Sequence, residues 1–292
     1  KKLFLRKLDV FPPQGTSIRD NFFSMQRPAG ADYPGRRYLG VCAFGRRYPA
    51  AMIRVYVALM AAAQQLYDKY DNLADPWMTL AGYFNSIREL AGTRRLVEDD
   101  IRSRLRDADQ RGLAKRLIRF GAVEELTSRK SGMDIPEILE RLEVRFDKTQ
   151  EAQRKQDRNA GKVPSPWPFD VILATNMISV GVDIDRLGLM VVAGQPKTTS
   201  EYIQATSRVG RARYGPGLVL TLYNWARPRD LSHYECFEHY HETFFKHVEA
   251  LSVTPFSERA LERGLSGILI AQRRLIEEQL NGNRKARPRR VN

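Results

Sequence analysis

Apolar and polar positions change rhythm several times along this chain. The opening, "KKLFLRKLDVFPPQGTSIRDNFFSMQRPAGADYPGRR", keeps no period and is rich in Pro, Gly and Arg, which predicts a linker or an extended crossing segment. "RYLGVCAF" reads as a short strand. "PAAMIRVYVALMAAAQQLYDKY" reads as a helix, because strong helix formers carry apolar residues at spacings of three and four. From Trp77 onward short apolar runs alternate with longer amphipathic or polar ones. The runs "WMTLAGYFNS", "AVEELTSR", "FDVILATNM", "GLMVVAGQP" and "GPGLVLTLYN" are predicted strands. "IRELAGTRRLVEDDIRSRLRDAD", "DIPEILERLEVRF" and "TSEYIQATSRVGRA" are predicted helices, the second with Asp134 as N-cap and Pro136 in its first turn. "EAQRKQDRNAGKVPSPWP" is predicted to be a polar, proline-containing loop. Strands separated by helices imply an α/β fold with a parallel sheet and helices on both faces.

Beyond Trp225 the pattern turns helical. "HYECFEHYHETFFKHVEAL" sets Tyr234, Phe237, His241, Phe244, Val248 and Leu251 on one stripe, and "SERALERGLSGILIAQRRLIEEQL" continues in the same style. The last twelve residues carry five basic side chains and no acidic one, so they read as a basic tail. The pattern thus divides the chain into a linker (1–40), a strand–helix leading segment (41–76), an α/β lobe (77–225), a helical extension (226–280) and the tail (281–292).

Composition sharpens this picture. Hydrophobic residues make up 42% and charged residues 28% of the 292, enough apolar surface for a packed core. The 48 Lys+Arg against 34 Asp+Glu leave a net charge of +14. That excess points to a polyanionic partner, nucleic acid first and an anionic membrane surface second. Only Cys42 and Cys236 occur, with no CxxC pair, which argues against a disulfide scaffold or a cysteine zinc site and fits a reducing, cytoplasmic setting. No apolar run approaches the ~20 residues of a membrane span.

Two stretches carry candidate chemistry. In "DVILATNMISVGVDID" the strand ends in Ala174, Thr175 and Asn176, Gly181 permits a turn, and Asp183 follows. In a parallel sheet ligands gather at such carboxyl ends, where hydroxyls and backbone N–H groups meet phosphate. In "TSEYIQATSRVGRARYG", a helix over 199–211 would place Gln204, Arg208 and Arg211 at i, i+4 and i+7 on one face, with Gly210 keeping that face open. Guanidinium forks match phosphate oxygens bidentately; the competing reading is a solvated arginine face. "HYECFEHYHETFFKH" holds all four histidines, and His233, Cys236 and His239 stand at helical spacing. The aromatic stripe on the same helix favours core packing, so no metal is expected there.

The order "VILATNMISVGVDID", strand, "YIQATSRVGRA" resembles motifs V and VI of the superfamily 2 helicases, with their "ATxxxxxGxD" loop and "QxxxRxGR" helix. "TLAGYFNSIREL" resembles motif IV of that family, and "EELTSRKSGMDIPEILERLE" its next strand-loop-helix. The resemblance covers residues 77–225 and implies the second RecA-like lobe of an ATP-dependent helicase or translocase. It implies ATP held between two lobes, with Mg²⁺ on the first. Arg208 and Arg211 would then be arginine fingers, Gln204 would position them or the attacking water, and Gly181 and Asp183 would link nucleotide state to strand grip. Phe84, Asn85, Ser86, Thr127, Ser128, Arg129, Thr175 and Asn176 would meet the nucleic-acid backbone. The strings "FPPQGTSIRDNFF", "GYFNSIRELAGTRRLVEDDI", "GQPKTTSEYIQATSRVGRA" and "SVTPFSERALERGL" are also similar to the helicase subunit of the DISARM phage-defence system. That likeness implies DNA (single-stranded, or duplex with a single-stranded end) and a DrmB-like subunit as partners.

No GxxxxGK[ST] phosphate loop occurs; "GK" stands only at Gly161–Lys162, before Val163, and "EDDI" at Glu98–Ile101 follows no buried strand. The expectation is a chain that starts after the first lobe and hydrolyses no ATP alone, since positioning and charge stabilisation need both lobes. Two alternatives stay open: a non-catalytic nucleic-acid-binding module, and an RNA-acting helicase relative.

Overall fold

A computed structural model describes residues 29–179, 184–211, 215–249, 254 and 256–277. Its centre is a sheet of β1 (Arg36–Cys42), β2 (Leu80–Phe84), β3 (Val123–Leu126), β4 (Val171–Ala174), β5 (Leu189–Ala193) and β6 (Gly217–Tyr223). The strands lie in the order β1-β6-β5-β2-β4-β3, and every neighbouring pair is parallel. β2, β4 and β5 are buried at every position. A strand covered on both faces has no side for polar residues, hence the unbroken apolar runs.

The helices are α1 (Tyr48–Tyr70), α2 (Asp75–Met78), α3 (Ile87–Leu96), α4 (Arg102–Arg106), α5 (Asp134–Leu142), α6 (Lys148–Asn159), α7 (Thr199–Thr206), α8 (Pro228–Glu235), α9 (Phe237–Thr243) and α10 (Glu258–Ile276). Successive strand residues point to opposite faces, and the two faces build two cores. On one, Leu80, Phe84 and Val191 pack with Tyr56 and Met60 of α1, Leu90 of α3 and Leu105 of α4. On the other, Tyr83, Ile172 and Val192 pack with Ile138 of α5, Tyr202 of α7 and Tyr240 of α9. The chain therefore leaves β2 toward one face and its neighbour β5 toward the other. The boundary between them is the topological switch point, where open α/β sheets open a crevice at the carboxyl ends.

β1, the strand expected in "RYLGVCAF", straddles the boundary between the linker and the leading segment and forms the sheet edge beside β6, and α1 belongs to the main core. Residues 1–28 and the basic tail lie outside the described residues. The predicted loop at 151–168 is corrected: its first part is α6. Period analysis misses this helix because it docks through an arginine rather than an apolar stripe. Asp147 caps it by accepting from Gln150 N at 2.8 Å. Buried Arg154 lies over the Trp167 ring, 5.3 Å from its centroid, and donates to Ser165 Oγ at 3.1 Å. Asp134 is also corrected. It is the first residue of α5, not its cap, and trades bonds with Ser131: its Oδ2 accepts from Ser131 N, and Ser131 Oγ accepts from Asp134 N.

The predicted helix after Trp225 is two helices, α8 and α9, separated at Cys236. Residues 250–292 form a separate unit, in which none of the side chains of α10 is buried. Among the described residues no helix is long and apolar enough to cross a membrane.

Candidate functional site

The arginine segment departs from the continuous helix predicted for it. Thr198 caps α7, its Oγ1 accepting from Glu201 N at 3.2 Å, but the helix stops at Thr206. Gln204 is on the helix and exposed; Arg208, half-buried, lies on the turn that follows, and Arg211, exposed, stands just beyond it. Gly210 ends the turn at φ +64°, the left-handed conformation that closes helices. Its N–H donates to Leu187 O at 2.7 Å. The carbonyls left open by the helix end are taken by β1: Arg36 Nη2 donates to Ser207 O at 3.1 Å and Nε to Val209 O at 2.5 Å. Sequence reasoning missed Arg36, since one arginine at the start of a strand has no periodic signature.

Gly210 also touches Gly217, the first residue of β6; a Cβ built on Gly217 would stand 2.9 Å from Gly210 Cα. A Cβ on Gly210 would run into the Gly217 backbone, which cannot swing away as a side chain can. Gly210→Ala therefore combines a left-handed φ with a backbone collision. It is expected to cost about 2–4 kcal/mol and to lower the melting temperature by roughly 5–15 °C. A thermal melt within ~2 °C of the parent would show that the two glycines are not interlocked.

The second cluster lines the carboxyl ends of β3, β4 and β2. Leu126, Ala174 and Tyr83 stand opposite one another in register. The residues leaving those strands therefore share one edge about 10 Å long. Exposure then sorts the predicted contacts. Ser86, Ser128, Arg129 and Asn176 are exposed, whereas Thr175 is buried at 7%, Phe84 at 1% and Thr127 at 0% exposure. Direct backbone contact by Phe84 and Thr127 is thus corrected. Phe84 is a core residue. Thr127 shapes a turn, its Oγ1 accepting from Arg129 N at 3.3 Å and its carbonyl from Lys130 N at 3.1 Å, which sends Ser128 and Arg129 outward. Asn85 is a clamp: its Nδ2 donates to Ala193 O at 3.2 Å and Gln195 O at 3.3 Å, across the switch point. Ser86 Oγ caps α3 by accepting from Glu89 N at 3.3 Å. Gly181 and Asp183 lie outside the described residues.

Ionic side chains brace the strands at both ends, buried Asp230 at the carboxyl ends of β5 and β6 and buried Arg186 with Asp75 where β2 and β5 begin, and none carried a sequence signal. Asp230 accepts from Gln195 N at 3.1 Å and Asn224 N at 2.9 Å, tying the ends of β5 and β6. Arg186 Nη1 reaches Asp75 Oδ1 at 3.1 Å and Nη2 reaches Thr79 Oγ1 at 2.8 Å. At the head of α7 the carboxylate of Glu249 accepts from Thr199 N at 2.8 and 2.9 Å. Desolvation pushes the Glu249 carboxyl up, but these N–H bonds outweigh it and hold it below the ordinary carboxylate value. The histidine segment is structural in geometry: His241 Nε2 lies 2.9 Å from Tyr202 Oη, and its ring 4.0 Å from that of Phe237. Burial lowers the His241 and His233 imidazoles below their usual range. Among the described residues no group of three or more His, Cys, Asp or Glu could hold a metal ion.

Residues 125–213 match the family described as helicase conserved C-terminal domain. The DISARM protein DrmA of Bacillus paralicheniformis is 42% identical over 290 residues, covering 98% of this chain. The chain spans about a quarter of that relative's length, 24%. Among solved structures, the DUF1998 helicase MrfA bound to DNA matches with a TM-score of 0.49 at 15% identity, over 77% of this chain and 25% of that one. The Mycobacterium smegmatis helicase Lhr bound to ssDNA and AMP-PNP matches with a TM-score of 0.40 at 14% identity, over 78% and 24%.

Proposed function

The chain belongs to the superfamily 2 helicases, as a RecA-like C-terminal lobe, and on that premise we propose that it is the second motor lobe of an ATP-driven DNA translocase of DISARM type, serving phage defence. The observation that carries this reading is the braced turn after α7. Arg36 and the Gly210–Gly217 contact set the path of the backbone that presents Arg208 and Arg211.

In this mechanism ATP and Mg²⁺ are held by a first lobe, and this chain supplies cationic groups to the γ-phosphate. Arg208 and Arg211 stabilise the charge that spreads over the transferred phosphoryl oxygens, and Gln204 orients them or the attacking water. Gly181 and Asp183 relay nucleotide state to the grip on the strand. The nucleic acid runs along the carboxyl edge, where Ser86, Ser128 and Asn176 offer short polar groups and Arg129 a charge. Asn85, Thr127 and Thr175 act from behind, by holding that edge in register. The net charge of +14 supplies long-range attraction for a polyanion. A DrmB-like subunit is the expected protein partner.

Salt dependence tests the grip. Arg129→Ala should weaken binding to single-stranded DNA about equally for all sequences and reduce the slope of log K against log salt by about 0.7. A slope unchanged by the substitution removes Arg129 from the contact surface. Affinity wholly indifferent to ATP in the intact protein would favour a non-catalytic binding module, and a strong preference for RNA would favour an RNA-acting relative.

A further inference from the structure

A second feature sits at the switch point, between α1, α3 and the carboxyl ends of β2 and β5. It is a cavity of about 290 Å³, walled by Met52, Phe84, Leu96 and Ala193, with Arg88, Glu89 and Arg227 among its polar lining. Its volume is just below the ~300 Å³ at which pockets begin to hold drug-sized ligands, which suits a single planar ring.

Three observations converge on it. The first is an orphan acceptor. Glu89 Oε1 accepts from Arg227 Nη2 at 2.6 Å, but its Oε2 is buried with no hydrogen-bond partner. A buried carboxylate oxygen left unpaired is costly unless a donor arrives. The second is Gly92, which also lines the cavity, inside α3. Glycine in a helix interior is less stable than alanine, so its local cost here is not offset by helix propensity. A Cβ at Gly92 would meet nothing within 4 Å, so the room it leaves opens on no protein atom. The third is position: Phe84 and Arg88 flank Asn85 and Ser86, at the edge assigned above to the nucleic acid.

We propose that this cavity receives one unstacked nucleobase with its amino group at pyrimidine C4 or purine C6, cytosine or adenine, from the strand gripped at the carboxyl edge. The apolar walls take the ring faces. Glu89 Oε2 accepts from the amino group, the pairing carboxylates make with cytosine N4, and Arg88 and Arg227 attract the adjoining phosphates. Thymine offers an oxygen where these bases offer the amino group, so it is disfavoured. The inference rests on the nucleic-acid reading of that edge and adds a base preference to it.

The test measures binding of the 292-residue chain to labelled oligo(dC), oligo(dT) and an abasic strand of equal length, at one salt concentration. The parent chain should bind oligo(dC) roughly tenfold or more tighter than the abasic strand, since one buried base contact is worth about that much. Gly92→Leu fills the cavity and improves helix propensity, so it should fold at least as well. It should erase the base preference while abasic binding stays unchanged. Glu89→Gln, which keeps the shape and adds a donor, should narrow the gap between oligo(dC) and oligo(dT). Equal affinity of the parent chain for oligo(dC) and the abasic strand overturns the base cavity and leaves the backbone grip standing. Failure to bind any of the three strands overturns both.

Discussion

Arg211→Ala in the intact protein is expected to lower DNA-stimulated ATP turnover by about 10³-fold or more, the effect of removing an arginine finger in other nucleotidases. Affinity for DNA should change little, because the proposed role is to meet charge that develops only as the phosphoryl group transfers. The loss should therefore fall on kcat rather than KM. Arg211 is exposed, so its removal opens no core cavity and the melting temperature should stay put. This separates a chemical role from a structural one. Arg211→Lys should restore only part of the rate, since a single ammonium lacks the planar fork that spans two phosphate oxygens. Turnover unaltered by Arg211→Ala, with folding intact, would remove this residue from the nucleotide site.

The second large effect concerns folding. Asp170 and Arg116 form an ion pair at 2.6 Å with both side chains 2% exposed. Arg116 also donates to Met78 O at 2.6 Å, and Asp170 Oδ2 accepts from Arg119 N at 3.3 Å. The Asp170 backbone joins three strands at their start, its N–H donating to Ala122 O and its carbonyl accepting from Leu80 N. Asp170→Ala leaves a guanidinium buried without its counter-charge. The expected cost is about 3–5 kcal/mol, or a melting temperature lower by roughly 6–20 °C. Removing both charges, in Arg116→Met with Asp170→Leu, should cost less than the sum of the single changes. A single Asp170→Ala variant that melts with the parent would show that the loss of this counter-charge costs the fold nothing.

Six strands and most helices are legible in the residue pattern. Runs such as Val171–Ala174 and Leu189–Ala193 are short and apolar throughout, as strands covered on both faces are. The motif resemblance singled out Arg208, Arg211, Thr175 and Asn176, which the fold sets after α7 and at the carboxyl end of β4. What failed depended on contacts far apart in the chain. α6 looked like a loop because its anchor is Arg154 against Trp167, not an apolar stripe. α7 looked longer than it is because Gly210 was read as an opening on a helix face, when its contact with Gly217 and the reach of Arg36 force a turn.

The residue pattern by itself determined the parallel α/β class, the strand positions, the basic charge and the family to which the motifs belong, because each of these is written in neighbours along the chain. Tertiary structure alone decided which motif residues face outward. Thr127 and Ser128 are adjacent and similar in chemistry, yet one has 0% exposure and the other is exposed. It also decided that Arg36 holds a turn more than 170 positions away, and that Gly92 faces empty space rather than a packed neighbour. The physical reason is common to all three: burial, close approach and hydrogen-bond partnership are set by segments brought together in folding, and local periodicity carries no record of them.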